Sequence, residues 1–514
     1  MPHWLFCSPP AQAVHQALKA AGTWAPSLKP AWTTGNSPAY AAAARHRAAG
    51  MWRGRKGAID WPLPRRETPK FRVTTKDLTK PEKSMPKDHI PLATQQDPAD
   101  GCSMRLILSF AALFLSVILL QLSSGGVGPL DALTGLEQGF TKGQIGILGS
   151  SHFLGFFIGC WWAPRVMGSV GHSRAFAVFT AMGAIGMLGH TLLTDPTAWA
   201  VMRVASGLCV AGCYTVVEAW LQAKASNANR GRTMAVYRVV DISASLGAQM
   251  MIGALASIET YLAYNLLTLF CCASLLPLAL TKASPPITKA APRLRPLLAL
   301  SRSPLAVFAV MVSGLTSAAY RMIGPIYGTE LNLNASQIGL FLASYVLGGA
   351  ISQYPAGWLA DKFDRRWVVI GISIASLISC TLSFFALGVT QVIIASCLFG
   401  FITVPIYSVA TAHAHDFAST DERVELSAAL LFYFAIGAIA SPIVAALLIE
   451  TFGTGSFFIF IAIAHLLLAA IGGLRLLLGD TALSKTPYIY APRTSFMLGR
   501  LTKILRDPGS SSKP

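Results

Sequence analysis

Twelve long apolar segments run through most of this chain of 514 residues, and they constrain its fold more than any other feature. A helix needs about 20 mainly apolar residues to cross the hydrocarbon core of a bilayer, and each segment meets that requirement. The sequence therefore predicts an all-α membrane protein with twelve transmembrane helices. They lie at about 105–128, 143–165, 175–193, 198–222, 232–255, 261–280, 304–326, 335–360, 367–388, 390–413, 424–449 and 455–478.

The charged residues indicate how these segments are oriented. Only 12% of the residues are charged, against about 25% in a soluble domain. The net charge of +18 does not indicate a nucleic-acid-binding protein, because Lys and Arg are concentrated in one set of loops and in the N-terminal arm. The opposite set of loops, in which we place Asp131, is mainly acidic. Since basic loops stay in the cytoplasm, we expect a multi-pass membrane protein with both termini cytoplasmic.

The segments outside the spans divide the chain. Residues 1–103 are basic and contain no run long enough to span a bilayer. We predict a disordered extension there, with a wrongly assigned start upstream of Met104 as the alternative. Residues 281–303 are basic and rich in Pro, which predicts a cytoplasmic linker between one bundle at 104–280 and a second at 304–480. Residues 481–514 are the expected cytoplasmic tail.

A sequence repeat relates the two bundles. Residues 143–159 and 336–352 share Gln, Ile and Gly, and then Ser, Leu, Gly and Ile, at a constant offset of 193. The same offset pairs Tyr214 with Tyr407. A constant offset over separated segments indicates two homologous six-helix halves. Halves that enter the membrane in the same direction are related by an axis along its normal and enclose a site near the midplane.

The run GWLADKFDRR at 357–366 resembles the signature loop of the major facilitator superfamily. Arg203 and Gly207 fit that family's Arg-x-x-x-Gly pattern, and the region from 104 to about 480 is similar to a poorly characterised bacterial branch of it. The resemblance implies two pseudo-symmetric six-helix bundles that move a solute by alternating access, and its bacterial branch implies a location in the bacterial inner membrane. The chain departs from the pattern twice. Gly168 stands where the first copy of the loop should have Asp, and span five lacks the Gly-Pro motif of many drug antiporters.

Few charged residues lie inside the spans, where each costs roughly 2.5–3.5 kcal/mol to insert. Glu218 and Arg238 are equally far along the chain from the turn between spans four and five, so they should share a depth in the membrane. Asp241 follows Arg238 by three residues, which places it on the same helical face. We expect a buried trio in which one carboxylate binds a proton or contacts the substrate. A static ion-pair network that fixes the two spans is the alternative.

Two arginines are candidates for substrate contact. The family resemblance places spans one, four, seven and ten around the cavity, which implies that Arg203 and Arg321 point inward. A pair of guanidinium groups suits an anionic substrate. The alternatives are a packing or proton-related role for Arg203 and an interfacial position for Arg321. Gln121, Tyr214 and Tyr407 are expected either to supply hydrogen bonds from the cavity walls or to pack in the core.

The signature loop is also the expected conformational latch. By pseudo-symmetry, Asp361 should face the start of span five, where two arginines and the positive end of a helix dipole would attract it. Gly168 offers no such carboxylate, which makes the latch asymmetric. We therefore predict that charge reversal at Asp361 lowers turnover more than any change at Gly168. The residues assigned to the latch are Gly357, Asp361, Lys362, Arg365, Arg366, Arg230 and Arg232.

These features favour a secondary active transporter for a small solute, with protons as the expected driving ion. We find no GxxxxGKS/T, HExxH or GxSxG motif, so we predict that the chain is not an enzyme and uses no cofactor or metal. The expected partners are a small-molecule substrate, protons and the lipid bilayer, without nucleic acid, and we expect a monomer. A receptor or scaffold that has this fold but no transport activity is the alternative.

Overall fold

The computed structural model describes residues 99–225, 230–280, 294–419, 421–478 and Tyr488. Within these residues, twelve helical spans are long and apolar enough to cross a membrane, which confirms the predicted fold class. Spans one to four are Ala99–Glu137, Lys142–Val170, His172–Leu192 and Pro196–Lys224; spans seven, nine, eleven and twelve are Pro304–Glu330, Arg365–Phe384, Arg423–Phe452 and Ser456–Leu478.

Each of the four remaining spans is interrupted by a short break in the helix. In span eight, the hydroxyl of Ser352 at the break donates to the carbonyl of Gly349 over 2.9 Å. In span ten, Pro405 at the break has no N–H to donate to the helix. A break is tolerated in a membrane where side chains or neighbouring helices satisfy the freed backbone groups. The interrupted spans are Arg230–Met250 with Ile252–Ala256, Thr260–Ala273 with Leu275–Leu280, Ala335–Ile351 with Gln353–Lys362, and Val389–Thr403 with Ile406–Asp416.

The two halves use the same helix pairings. Span two packs on span four in the first half, and span eight packs on span ten in the second. Spans one and five pack together, as do their equivalents seven and eleven. Spans three and six pack together, as do nine and twelve. The equivalent pairings confirm two pseudo-symmetric six-helix bundles.

Repeated glycines let the paired helices approach closely. A Cβ on Gly155 would overlap the carbonyl of Val204, where span two crosses span four. At the equivalent crossing of spans eight and ten, a Cβ on Gly348 would overlap the carbonyl of Cys397. Small residues at such crossings permit the van der Waals packing that drives helix association in lipid. These contacts explain why the repeat retains its glycines.

The repeated Gln begins a helix in both halves. The N–H of Gln144 donates to the Thr141 hydroxyl over 3.1 Å, and the N–H of Thr141 donates to the Gln144 side chain over 2.8 Å. Asn334 and Gln337 form the same reciprocal pair, at 2.9 Å in both directions. Such a capping box satisfies two backbone N–H groups that have no partner inside the helix, and a cap contributes about 1 kcal/mol.

One end of the seam between the bundles is closed. Spans two and eleven, and spans five and eight, are in contact along the seam. The Lys142 ammonium of span two lies 2.8 Å from the Glu330 carboxylate of span seven. The N–H of Gly143 donates to the Glu450 carboxylate of span eleven over 3.0 Å. In the orientation predicted from the loops, this closed end is periplasmic.

Some boundaries differ from the sequence analysis. Span one continues to Glu137, so Asp131 lies inside a membrane span and is 2% exposed, whereas we placed it in a loop. The first helix begins at Ala99, within the predicted disordered arm, and residues 1–98 lie outside the described residues. The last part of the predicted linker is a helix, Pro296–Arg302. Residues 281–293, and the tail apart from Tyr488, lie outside the described residues.

Candidate functional site

A cavity of about 230 Å³ lies between the two bundles. Spans one, two, four and five line it from the first bundle, and spans seven, eight, ten and eleven line it from the second. The family resemblance implied that spans one, four, seven and ten line the cavity. Spans two, five, eight and eleven, which meet along the seam between the bundles, line it as well. The side chains predicted from the sequence that line this cavity are Gln121, Tyr214, Arg238, Asp241 and Arg321.

Glu218, Arg238 and Asp241 lie together, as their spacing predicts. Arg238 Nη2 lies 2.9 Å from Glu218 Oε1, and Arg238 Nη1 lies 3.6 Å from Asp241 Oδ2. The side chain of Glu218 is 1% exposed, and it also accepts a hydrogen bond from the Tyr237 hydroxyl over 3.2 Å. The side chain of Asp241 is 20% exposed and lines the cavity. The trio therefore has one sealed carboxylate and one that water can reach.

Asp241 is also connected to span one through Tyr214. The Tyr214 hydroxyl lies 2.7 Å from Asp241 Oδ1 and is hydrogen-bonded to the side chain of Gln121. A phenol has one hydrogen, so it donates to only one of these partners at a time. When Asp241 is protonated, it donates to Tyr214, which donates to Gln121 Oε1, the atom that faces the phenol in this structure. When Asp241 is ionised, Tyr214 donates to it, and the Gln121 amide can then donate to Tyr214 only if it turns so that Nε2 replaces Oε1.

Of the two arginines predicted to contact substrate, Arg203 and Arg321, it is Arg321 that lines the cavity. Its side chain is exposed and lines the cavity from span seven. It forms no ion pair with any carboxylate in the described part of the chain. A guanidinium inside a membrane span is costly unless water or a partner solvates it. Arg321 is therefore a cation available to a ligand.

Arg203 is sequestered in the first bundle. It is 1% exposed, and its Nε lies 3.3 Å from Asp131 Oδ2. His190 Nε2 lies 3.5 Å from the same oxygen, and the Tyr264 hydroxyl donates to the other carboxylate oxygen over 2.6 Å. Arg203 Nη2 lies 3.5 Å from the sulfur of Met322, a residue of the cavity wall. The structure thus places Arg203 beside the cavity and joins it to a buried acid.

The ring of His190 is held so that one nitrogen faces Asp131. Its Nδ1 lies 2.7 Å from the carbonyl oxygen of Gly186, so Nδ1 carries a hydrogen. A neutral ring then presents the lone pair of Nε2 to the carboxylate. A proton between the two groups would replace these facing lone pairs by a hydrogen bond. Sequence reasoning missed this cluster because it placed Asp131 in a loop.

Two further residues of the cavity wall were not predicted. Tyr345 lines the cavity, and its buried hydroxyl has no hydrogen-bond partner among the described residues. His152 also lines the cavity, with Nδ1 3.2 Å from the Ser206 hydroxyl. The predicted Tyr407 lies behind the wall, where it packs edge-on against Phe434 at 5.3 Å between ring centroids. The repeat itself was the available signal, because His152 and Tyr345 are equivalent in the two halves.

The predicted latch between the bundles is not formed in this structure. Asp361 instead pairs with Arg365 of its own loop at 3.2 Å and accepts a hydrogen bond from the N–H of Tyr488 over 2.9 Å. Arg232 is exposed and makes no ion pair with a described carboxylate, and the side chain of Arg230 lies outside the described residues. The opposite end of the seam is the closed one here. The latch stays a prediction for the alternative state.

Other residues of the signature loop hold the second bundle together. Arg365 is 1% exposed, and its Nη1 lies 2.7 and 2.8 Å from the two carboxylate oxygens of Asp416 and 3.1 Å from the carbonyl of Ala412. It thereby joins the ends of spans eight, nine and ten. Arg366 pairs with Asp364 at 2.9 Å. Burial alone would raise the pKa of Asp364, but the hydrogen bonds and charge of Arg366 outweigh it and hold that pKa below its usual value.

The sequence is similar to known membrane transporters. The sequence model of the Major Facilitator Superfamily matches residues 306–508. The uncharacterised MFS-type transporter YcaD of Escherichia fergusonii is 27% identical over 354 residues, which are 68% of this chain and 91% of that protein. The uncharacterised MFS-type transporter Ent638_1421 of Enterobacter sp. (strain 638) is 26% identical over 352 residues, with the same two shares.

Solved structures share the fold. The crystal structure of the nucleoside transporter NupG has a TM-score of 0.60 at 12% identity and covers 73% of this chain and 98% of its own. A bacterial homologue of the human lysosomal transporter Spinster, in an inward-facing and occupied conformation, has a TM-score of 0.57 at 15% identity. It covers 72% of this chain and 97% of its own. These likenesses agree with the resemblance drawn from the signature loop and the repeat.

Proposed function

We propose that this chain is a member of the major facilitator superfamily and a secondary active transporter that carries a small anion by alternating access. Its relatives and structural neighbours are named as transporters, which supports the general class. In such folds, two bundles rock about a site near the midplane. The observation that carries the proposal is the cavity to which the first bundle contributes Asp241 and the second contributes Arg321, a cation without a carboxylate partner among the described residues.

The charges around this cavity favour an anion once Asp241 carries a proton. With all four groups ionised, Glu218 and Asp241 balance Arg238 and Arg321. Protonation of Asp241 leaves an excess positive charge on a wall that water reaches. A small carboxylate or phosphate would neutralise it, because guanidinium binds either through parallel hydrogen bonds. Proton and anion would then each favour binding of the other, since coupling between two ligands is reciprocal.

Tyr214 would transmit the protonation state of Asp241 to span one. Protonation reverses the direction of the hydrogen bonds that run from Asp241 through Tyr214 to Gln121. The reversal changes which groups on the wall accept hydrogen bonds from a ligand. A proton gradient is therefore the proposed driving force, and Asp241 is the proposed coupling residue.

Asp131 and His190 are the proposed second proton site. Both groups are buried, and the arrangement of His190 leaves a place for one proton between them. Arg203 contacts Asp131 on one side and Met322 of the second bundle on the other. A change of charge at Asp131 would therefore alter a contact between the two bundles. This role combines the proton-related and structural alternatives for Arg203.

The contacts along the seam fit an inward-facing state in the predicted orientation. The pair of Lys142 and Glu330 and the contact of Gly143 with Glu450 close the end assigned to the periplasm. At the other end, Asp361 pairs within its own loop. The opposite state would break the first set of contacts and bring Asp361 to the start of span five, and a ligand or proton would shift the balance between these states. The proposed location is the bacterial inner membrane with both termini cytoplasmic.

The proposal is tested with purified protein in two steps. A panel of small carboxylates and phosphates is first screened by thermal shift at two pH values, and a true ligand raises the Tm more at the lower pH. The best ligand is then followed in proteoliposomes with and without a pH gradient. Flux that ignores the gradient would contradict proton coupling. Absence of flux, with a normal cell phenotype in Arg321→Gln, would favour a receptor or scaffold.

A further inference from the structure

A second cavity, of about 460 Å³, lies on the second bundle between spans eight, nine and ten. Its walls are mainly apolar and include Leu359, Phe363, Trp367 and Phe401. Trp367 is 62% exposed and Phe363 is 46% exposed, so this groove opens to the surroundings of the protein. For helices that cross a bilayer, those surroundings are lipid.

The dimensions of the groove match one acyl chain. The groove follows span eight from the break at Ser352 to Phe363, just after the span ends. At 1.5 Å per residue, this length of helix is about 16 Å. The hydrocarbon region of one leaflet is about 15 Å thick, half of the ~30 Å core. A groove that follows a membrane span over this length suits an extended chain from a single leaflet.

A cation stands beside the mouth of the groove. The ammonium of Lys362 lies 4.7 Å from the centre of the Trp358 ring and 5.6 Å from the centre of the Phe363 ring, which lines the groove. Lys362 forms no ion pair with a carboxylate in the part of the chain that the structure describes. A lysine at the end of a span reaches towards the headgroups. An ammonium at that depth can bind a phosphate group as a point charge.

The other charges at this mouth are paired with one another. Asp364 lies 2.9 Å from Arg366, and Asp361 lies 3.2 Å from Arg365. The Asp364 carboxylate lines the groove, and Arg366 balances its charge, so it does not repel a phosphate. Lys362 is therefore the group at this mouth with charge available to a ligand.

We propose that this groove binds one glycerophospholipid, with an acyl chain between spans eight, nine and ten and the phosphate on Lys362. The bound chain would reach the breaks in spans eight and ten, because Ser352 and Pro405 line its deep end. On the other side of the same breaks, Gly349 and Val404 line the central cavity. A Cβ on Gly349 would lie 2.6 Å from Val404, so the two helices are closely packed there. The lipid thus supports the wall of the central cavity from outside.

The opposite face of the helix Gln353–Lys362 is held by Tyr488. The Tyr488 hydroxyl donates to the Gln353 side chain over 3.1 Å. A Cβ on Gly357 would lie 2.7 Å from the Tyr488 ring, so the glycine makes room for it. This helix is therefore fixed by protein on one face and, in the proposal, by lipid on the other.

The test fills the groove without disturbing the protein. Gly371 lines the groove, and a Cβ there meets no atom within 4 Å, so Gly371→Leu takes the space of the acyl chain. Gly473→Leu is the matched control, because its Cβ also meets no atom within 4 Å and it lies on span twelve. The full chain is titrated in detergent with palmitoyl-oleoyl phosphatidylglycerol, and bound lipids are counted by native mass spectrometry. The wild type and Gly473→Leu should hold one tight lipid, and Gly371→Leu should bind it at least about tenfold more weakly.

The phosphate contact is tested separately. Lys362→Gln should weaken the same lipid by about fivefold, as expected for one basic residue near an anionic headgroup. Lys224→Gln, at the end of span four, removes a charge elsewhere and should have no effect. Loss in Gly371→Leu without loss in Lys362→Gln would overturn the phosphate assignment.

Equal binding by Gly371→Leu and Gly473→Leu would mean that lipid is held only as part of the surrounding annulus, which overturns the site. Gel filtration and the Tm report whether each variant folds. Ala375→Leu blocks the same groove and replaces Gly371→Leu if that variant is unstable. The lipid count requires no transport, so its failure is distinct from failure of the proposed function.

Discussion

His152 and Tyr345 occupy equivalent positions in the two bundles, and both line the central cavity. They are 193 residues apart. Gly207 packs against the backbone carbonyl of His152, and Gly400 packs against the backbone carbonyl of Tyr345. The backbone surroundings are thus alike, whereas the side chains differ. His152 is bonded to Ser206 at 3.2 Å, while the Tyr345 hydroxyl has no partner among the described residues. An unsatisfied buried hydroxyl costs about 1–3 kcal/mol, so a ligand that pairs with it would bind more tightly.

Replacement of Tyr345 by Phe should weaken ligand binding without destabilising the fold. We expect a loss of about 0.5–1.5 kcal/mol in binding, the value of one hydrogen bond, measured by titration calorimetry. Tyr320→Phe is the control, because Tyr320 is stacked on Tyr345 at 4.3 Å but donates to Ser396 over 2.5 Å. Removal of the Tyr320 hydroxyl should lower the Tm and leave the affinity for the ligand unchanged. The reverse pattern would remove Tyr345 from the site.

Asp241→Asn should separate flux from the pH gradient. Asn retains the shape of the carboxyl group and a hydrogen-bonding partner for Tyr214, but it does not titrate. We expect the ligand to bind with an affinity that no longer depends on pH, and flux to follow the ligand gradient alone. Proteoliposome flux at several imposed pH gradients measures this. Retention of the wild-type response would show that another group couples the proton.

Glu218→Gln should act on stability instead. The Glu218 side chain is 1% exposed, and its removal leaves the charge of Arg238 poorly balanced. Removing one partner of a buried pair typically costs about 3–5 kcal/mol. A large fall in Tm is therefore expected. The fraction of the variant that folds should keep its response to pH. Loss of that response at unchanged Tm would transfer the coupling role to Glu218.

Arg321→Gln should raise the KM for the transported anion with no loss of stability. No carboxylate among the described residues pairs with Arg321, so the substitution leaves no buried acid without its partner. Hydrogen bonds to a charged group are worth about 1.5–3 kcal/mol, which corresponds to roughly 10- to 150-fold in affinity. Arg321→Lys should recover part of the loss, because Lys keeps the charge but not the planar fork. Equal affinity in all three proteins would place the anion elsewhere.

Asp131→Asn should destabilise the first bundle. Asp131 is the carboxylate that balances Arg203 and accepts from Tyr264, and it is 2% exposed. We expect a loss of about 3–5 kcal/mol in the free energy of unfolding, seen as a lower midpoint in denaturant. Asp195→Asn is the control, because Asp195 caps span four by accepting from the N–H of Ala198 over 2.8 Å. Asn is an equally good cap, so this change should be close to neutral.

The twelve spans and the trio of Glu218, Arg238 and Asp241 were predictable because they follow from local rules. Span length is fixed by the bilayer, and the shared depth of Glu218 and Arg238 follows from the constant rise of a helix. The partner of Arg203 was not predictable in this way. Asp131 stands near the end of an apolar run, and tertiary contacts with Arg203, His190 and Tyr264 allow it to be buried there.

The predicted latch shows a different limit. The sequence of the signature loop is compatible with contacts to either bundle, and one sequence serves both states of a transporter. In the state described here, Arg365 pairs with Asp416 of its own bundle, and Asp361 stays beside it. Sequence reasoning identified the charged loop, and the contact of Asp361 with span five stays a prediction for the other state.

Both bundles have the same kind of capping box, at Thr141 and at Asn334, yet the equivalent positions of the second bundle lack the charges of the first. At the offset of 193, Asp131, Arg203, Glu218, Arg238 and Asp241 correspond to Gly324, Ser396, Thr411, Leu431 and Phe434. The two copies therefore differ in their charged groups. In the proposed mechanism, one copy responds to acidity and its twin selects the cargo, so a chimera that exchanges the second copy between relatives would change what is carried while keeping what drives it.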